Sequence, residues 1–175
     1  MRKLFIGAVI SGVFLAGCSF SIGDTPTNAA EEVIEGELAT LGGLSDVSAD
    51  CDVPPNSDVG TTFNCTASTS AGEVRYLTTI EEDDVVYVEW LNLLTADDVV
   101  SLEQAAVDVI EEQVGRRLGY ENYACGSGPL ALGSDNILNC ELIDPDNGDV
   151  YDSTLEITDL DTGAFNVEVA EQPRG

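Results

Sequence analysis

Glu32-Val33-Ile34-Glu35-Gly36-Glu37-Leu38 returns later in the chain as Asp108-Val109-Ile110-Glu111-Glu112-Gln113-Val114, and this recurrence decides the fold. In both places a cysteine, a Pro-containing loop and a second cysteine follow: Cys51 and Cys65 after the first stretch, Cys125 and Cys140 after the second. Next come Gly72-Glu73-Val74 and Gly148-Asp149-Val150, each opening a run of alternating residues. The offsets are 76 at the helix, 74 and 75 at the cysteines and 76 at the glycines, a drift that loop insertions produce. A helix, a cysteine pair and a Gly-acid-Val strand start do not easily recur in one order by chance. The chain therefore reads as a duplication with a period of about 75 residues.

Each repeat is a helical pattern followed by a meander. Residues 29–41 and roughly 101–118 place apolar side chains at helical spacing: Val33, Ile34, Leu38 and Leu41, then Val107, Ile110, Val114 and Leu118. Ser101-Leu102-Glu103-Gln104 has the form of a capping box; a start near Thr95-Ala96-Asp97-Asp98 is the alternative. After each helix the period drops to two. Residues 63–69, 73–81 and 85–91 read as strands, with Val86, Val88 and Trp90 on one face and Val85, Tyr87 and Glu89 on the other. Residues 137–143, 149–158 and 164–170 repeat the scheme, and Asn147-Gly148 marks a hairpin turn because both residues tolerate positive φ. The expected fold is α+β: tandem duplicated units, each a helix packed on a small antiparallel sheet with one disulfide.

The chain has 175 residues, 33 of them acidic and 6 basic, for a formal charge of −27. Every acid lies after Cys18, where only Arg75, Arg116, Arg117 and Arg174 remain as bases, so the part from Cys18 onward carries −29. Such a surface excludes nucleic acid, whose binding depends on Lys and Arg neutralising phosphates. Anionic lipid repels it too, and solubility accounts for the charge without a dedicated binding surface. With no histidine or lysine beyond Cys18, neither a Ser-His-Asp nor a Cys-His arrangement can be assembled, and no enzyme is expected. Paired carboxylates remain, but acids are so abundant that any pair can be picked.

Arg2 and Lys3, an apolar run from Leu4 to Ala16, and Leu15-Ala16-Gly17-Cys18 form a short leader ending in a cysteine. About 13 apolar residues are too few to cross a bilayer, which needs about 20. The four residues resemble the lipobox of bacterial lipoproteins. That resemblance implies a diacylglyceryl group on the Cys18 sulfur, cleavage before Cys18, and a stable anchor on the extracytoplasmic face of the cell membrane. Four cysteines are then left for an oxidising compartment. Their spacing and the repeat favour Cys51 with Cys65 and Cys125 with Cys140, each closing a loop of about 15 residues worth roughly 3 kcal/mol.

Cys51-Asp52-Val53-Pro54 and Gly60-Thr61-Thr62-Phe63-Asn64-Cys65-Thr66-Ala67 resemble a small two-cysteine extracytoplasmic domain of unknown function common in actinobacterial lipoproteins, over about residues 29–90. The second unit keeps only Leu138-Asn139-Cys140. Asp135 stands there for the glycine, Leu138 for Phe63, and Pro129 falls four residues after Cys125. The family implies no activity and no site residues. The tandem helix-plus-sheet plan is also similar in architecture to beta-lactamase-inhibitory protein, and a shared fold does not decide function.

Asp144-Pro145-Asp146-Asn147-Gly148-Asp149 has the composition of a calcium loop, with Asp144, Asp146 and Asp149 as candidate ligands, and Asp159-Leu160-Asp161-Thr162-Gly163 echoes it. The glycine falls at loop position 5 where an EF-hand requires 6, and position 12 is Leu155. Asp, Asn and Gly are ordinary turn residues, so neither metal nor cofactor is expected, and Glu81-Glu82-Asp83-Asp84 reads as a solvated turn. Trp90, Tyr76, Tyr87, Tyr120, Tyr123 and Tyr151 form a contact patch if several share a sheet face; packing in the core or at an edge is their ordinary use.

The sequence thus leads to four segments: a signal peptide (1–17), a tether (18–28), a first unit (29–94) and a second unit (95–171). The expected function is a lipid-anchored envelope protein acting as a non-enzymatic binding or assembly module outside the cytoplasmic membrane. It would engage the membrane through Cys18 and meet a protein or envelope partner. The alternatives are an inhibitor of a secreted or envelope enzyme and a calcium-dependent adhesion or sensing module.

Overall fold

The computed structural model describes residues 18–21, 25–82, 85–160 and 162–174, the first four by their backbone alone. The expected signal peptide with Leu15, Ala16 and Gly17, and Asp83, Asp84 and Asp161 of the acidic turns, lie outside the described residues. Contacts divide the described chain into an N-terminal unit, residues 18–96 with 128–131, and a C-terminal unit, residues 97–127 with 132–174. Both are α+β, and no helix among the described residues is long and apolar enough to cross a membrane.

In the N-terminal unit, helix α1 (Pro26–Val33) starts where Thr25 accepts a hydrogen bond from the Asn28 amide, with Pro26 in the first turn, where no helical partner is lost. It continues through a π-helical turn (Ile34–Leu38) into α2 (Ala39–Gly42) and stops at Gly43, whose φ of 65° suits glycine. The extra residue of the π turn moves the inward position from Leu41 to Gly42. Leu41, expected on the apolar stripe, is therefore 55% exposed, while Ile34 and Leu38 are fully buried. The sheet runs β1-β5-β4-β3-β2, all neighbours antiparallel, with β1 (Cys18–Ser21), β2 (Ser48–Cys51), β3 (Thr62–Thr69), β4 (Gly72–Ile80) and β5 (Val85–Trp90). Ala30, Ile34 and Leu38 meet Phe63, Val74, Tyr76, Val86 and Val88 in one core, the inward side of the expected alternation. β6 (Leu93–Leu94) follows.

In the C-terminal unit, α3 (Ala96–Val114) takes the earlier of the two expected starts, with Asp97 and Asp98 in the first turn, where carboxylates suit the helix dipole. Ser101 does not cap it; its hydroxyl donates one turn back to the Asp97 carbonyl at 2.8 Å. The helix ends before Gly115 (φ 71°), so Leu118 is buried beyond the helix rather than on it, and Val114 is 54% exposed. Leu102, Ala106, Val107 and Ile110 are its buried side. After β7 (Tyr123–Ala124), residues 128–131 return to the N-terminal unit, where β8 (Leu130–Ala131) pairs with β6. β9 (Ile137–Ile143), β10 (Val150–Asp159) and β11 (Ala164–Val169) complete an antiparallel sheet of order β11-β10-β9-β7. The turn at Asn147-Gly148 is wider than a two-residue hairpin. The Asp144 amide bonds the Asp149 carbonyl at 2.8 Å, and of the turn only Gly148 (φ 78°) has positive φ.

Both expected disulfides are formed, Cys51–Cys65 and Cys125–Cys140. Each ties a short edge strand to its neighbour: Cys51 faces Cys65 in the β2–β3 register, and Tyr123 opposite Leu142 with Ala124 opposite Glu141 brings Cys125 opposite Cys140. A helix carboxylate then closes each junction. The Cys51 amide donates to Glu31 Oε1 at 3.1 Å and the Cys125 amide to Glu103 Oε1 at 2.6 Å. These glutamates are 72 positions apart, four residues, or about one helical turn, short of the 76-residue offset between Glu32–Leu38 and Asp108–Val114.

The cores differ by an exchange of bulk. Tyr76 faces Cys65 across β3–β4, and Ser153 faces Cys140 across β9–β10; Ala49 and Tyr123 each precede the first cysteine of their unit by two residues. One unit therefore puts its phenol on the central strand and the other on the edge strand. Burial pushes both tyrosines up to about 12. Tyr123 shares a 3.0 Å hydrogen bond with the Ser153 hydroxyl, whereas the Tyr76 hydroxyl has no partner among the described residues. Tyr76→Phe is therefore expected to stabilise by about 1 kcal/mol and Tyr123→Phe to destabilise by a similar amount, read from urea unfolding midpoints.

Candidate binding groove

A concavity of about 630 Å³ lies in the C-terminal unit between the end of α3 and β11. Its apolar wall comes from Ile110, Val114, Leu142, Val167 and Val169, while Glu156, Glu168 and Glu171 supply acidic groups around it. The groove exists because α3 stops at Gly115, leaving Val114 uncovered, and because β11 has a neighbour on one side only among the described residues. The Ala170 amide donates to the Asp152 carbonyl, so the ladder alternation bonds Thr154 with Glu168 and Glu156 with Asn166. The backbone groups of Phe165, Val167 and Val169 then face the open side. The sequence pattern placed a strand over 164–170; that β11 has one neighbour among the described residues depends on long-range pairing, for which no local signal exists.

In the N-terminal unit the last strand of the meander, β5, has neighbours on both sides. There β5 is bordered by β4 on one side and β1 on the other, with Cys18 opposite Val88 and Phe20 opposite Val86, and β1 also lies against α1. Val86 and Val88 are buried, whereas Val167 and Val169 are half-buried. Cys18–Ser21 belongs to the segment read as a tether, and its backbone is built into the sheet.

The candidate calcium turn is held by the chain's own cation. Arg116 Nη1 and Nη2 donate to both Asp144 oxygens at 3.0 and 2.7 Å, and Nη1 also reaches Asp146 at 2.7 Å. This guanidinium, with the Asp146 amide, holds Asp144 below the usual carboxylate range. Asp149 instead accepts from the Asn147 side chain at 2.8 Å. A divalent cation would have to displace Arg116, and no group of three potential metal ligands occurs among the described residues. Arg116 and Arg117, two of the five arginines in the chain, lie just past the helix, and that position was the available signal. Arg174 acts similarly, bridging Glu141 and Asp152, which face each other across β9–β10.

The six aromatic side chains differ in burial: two are core, three half-buried and one exposed. Tyr76 and Tyr123 are core, Trp90, Tyr87 and Tyr151 are half-buried, and Tyr120, 52% exposed, donates to Asp108 at 3.0 Å. Glu81 and Glu82 are exposed, as a solvated turn requires.

The Leu118 and Gly119 amides both donate to Glu111 Oε1, at 2.7 and 3.2 Å, lowering its pKa. Because the folded value is depressed, Glu111 contributes stability that is fully present above the ordinary carboxylate range and is lost as pH falls through its folded value. Glu111→Gln should therefore lower the melting temperature at pH 7, and the gap to wild type should close on acidification. Comparing the two proteins removes the opposing gain as the other acids lose their mutual repulsion.

Compared with protein-family models, curated proteins and solved structures, the chain matches none of them.

Proposed function

We propose that the chain is a lipid-anchored envelope protein, built from two duplicated units, that acts as a non-enzymatic binding or assembly module outside the cytoplasmic membrane. The observation that carries this reading is Leu15-Ala16-Gly17-Cys18, whose cysteine is the first residue of β1, with a disulfide in each of the two units. Disulfides persist in oxidising compartments, where a lipobox would deliver the protein. Duplication is supported by matching sheet orders, cross-strand disulfides at matching registers, the glutamate closing each, and the reciprocal placement of Tyr76 and Tyr123. With Cys18 as the first residue of β1, the acyl chains would hold the N-terminal unit close to the bilayer. The C-terminal groove then gives the module a place to bind.

Membrane fractionation of cells expressing wild type and Cys18→Ala tests the anchor. Wild type should sediment with membranes and the variant should be soluble, with an unchanged unfolding midpoint. Recovery of wild type in the soluble fraction would reject the reading.

A further inference from the structure

We propose that the side of β11 with no neighbour among the described residues receives an extended segment of a cationic partner protein, which adds as a fifth strand to the C-terminal sheet with apolar residues at alternate positions and Lys or Arg between them. This deepens the module reading and rests on the duplication that belongs to it.

The position of the docked strand follows from the N-terminal unit. The Leu91 amide donates to the Arg75 carbonyl as the Ala170 amide donates to the Asp152 carbonyl, which equates Val86, Val88 and Trp90 with Phe165, Val167 and Val169. On β5 this edge is taken by β1, which runs antiparallel to it and also touches α1. On β11 the corresponding space is the groove. An extended segment antiparallel to β11 would satisfy the outward amides and carbonyls of Phe165, Val167 and Val169 and lay every second side chain on Ile110 and Val114. Strand addition of this kind takes affinity from main-chain bonds and selectivity from alternate side chains.

Charge selects the occupant. The intervening side chains would project beside Glu168 and Glu156 on the outer face and near Glu171 at the groove's end, all exposed. Arg116 at the other end is already paired with Asp144 and Asp146. A second copy would bring another −29 charges to this acidic rim. A basic segment is attracted to it.

The test uses the full chain and a blocked heptapeptide alternating valine and lysine. Binding is followed by calorimetry, and hydrogen exchange locates it. The peptide should slow exchange at the Phe165, Val167 and Val169 amides, and a valine–glutamate peptide should not bind. Val167→Pro removes an outward donor without touching the β10–β11 ladder, so it should keep the unfolding midpoint and weaken binding by about tenfold. Glu168→Gln with Glu156→Gln should weaken binding and flatten its salt dependence. The proposal is overturned if the edge amides stay unprotected in wild type, if the acidic peptide binds equally well, or if sedimentation shows copies of the chain pairing through this edge. Because membrane fractionation is read separately, an anchored chain with an unprotected edge would remove this assignment and leave the anchor standing.

Discussion

Replacing Cys51 and Cys65 together by alanine should lower the stability of the N-terminal unit by about 3 kcal/mol, the loop-closure entropy regained by the unfolded chain for a bridge of this span. The native state loses something as well. β2 is four residues long and sits at the sheet edge, held by β3, the disulfide and the Glu31 and Glu35 carboxylates on the Cys51 and Ala49 amides. Without the bridge the loop from β2 to β3 is free to open, and both carboxylates lose the strand they grip. Peptide-resolved hydrogen exchange measures this within the unit. Amides of β3 and β4 should exchange about a hundredfold faster, and those of β10 should change far less. A loss below about 1 kcal/mol would show that packing of α1 on the sheet already fixes β2.

Phe165→Ala should cost about 3–5 kcal/mol in the C-terminal unit. Phe165 is completely buried and lies opposite Ile157, just before β10 and β11 shift register between Ile157 and Asp159. Phe165 is the second residue of β11 and one of the largest fully buried side chains, so its removal leaves a cavity in a closely packed core. Denaturant unfolding with a probe in this unit measures the loss. A cost under about 1.5 kcal/mol would mean that β11 shifts to close the cavity.

Much of this fold can be read residue by residue. Period-two runs located β3, β4, β5, β9, β10 and β11, whose inward residues Val74, Val86, Leu155 and Phe165 are buried as the alternation requires. The cysteine spacing gave both disulfides, because a repeated pair separated by a turn can close locally. What local pattern did not reveal is set at long range. Ser48-Ala49-Asp50-Cys51 and Cys18-Ser19-Phe20-Ser21 have no apolar alternation long enough to register as strands, and each forms only because a neighbouring edge accepts it. The π turn that rotates Leu41 outward inserts one residue into an otherwise regular helical pattern. The groove was hidden for the same reason as the edge strands: apolar residues at positions 110, 114, 167 and 169 look like core, and only the pairing shows that β11 has one neighbour among the described residues. Asp144 and Asp146 drew attention as cation ligands, and Arg116, 28 and 30 residues earlier, proved to be the cation.

The most direct measurement of the central claim is the mass and N-terminal residue of the protein purified from membranes. A lipid-anchored module requires a chain beginning at Cys18, with a diacylglyceryl mass on its N-terminal peptide and both disulfides intact. A chain that still begins at Met1, or one that begins at Cys18 or beyond and carries no acyl mass, would contradict it.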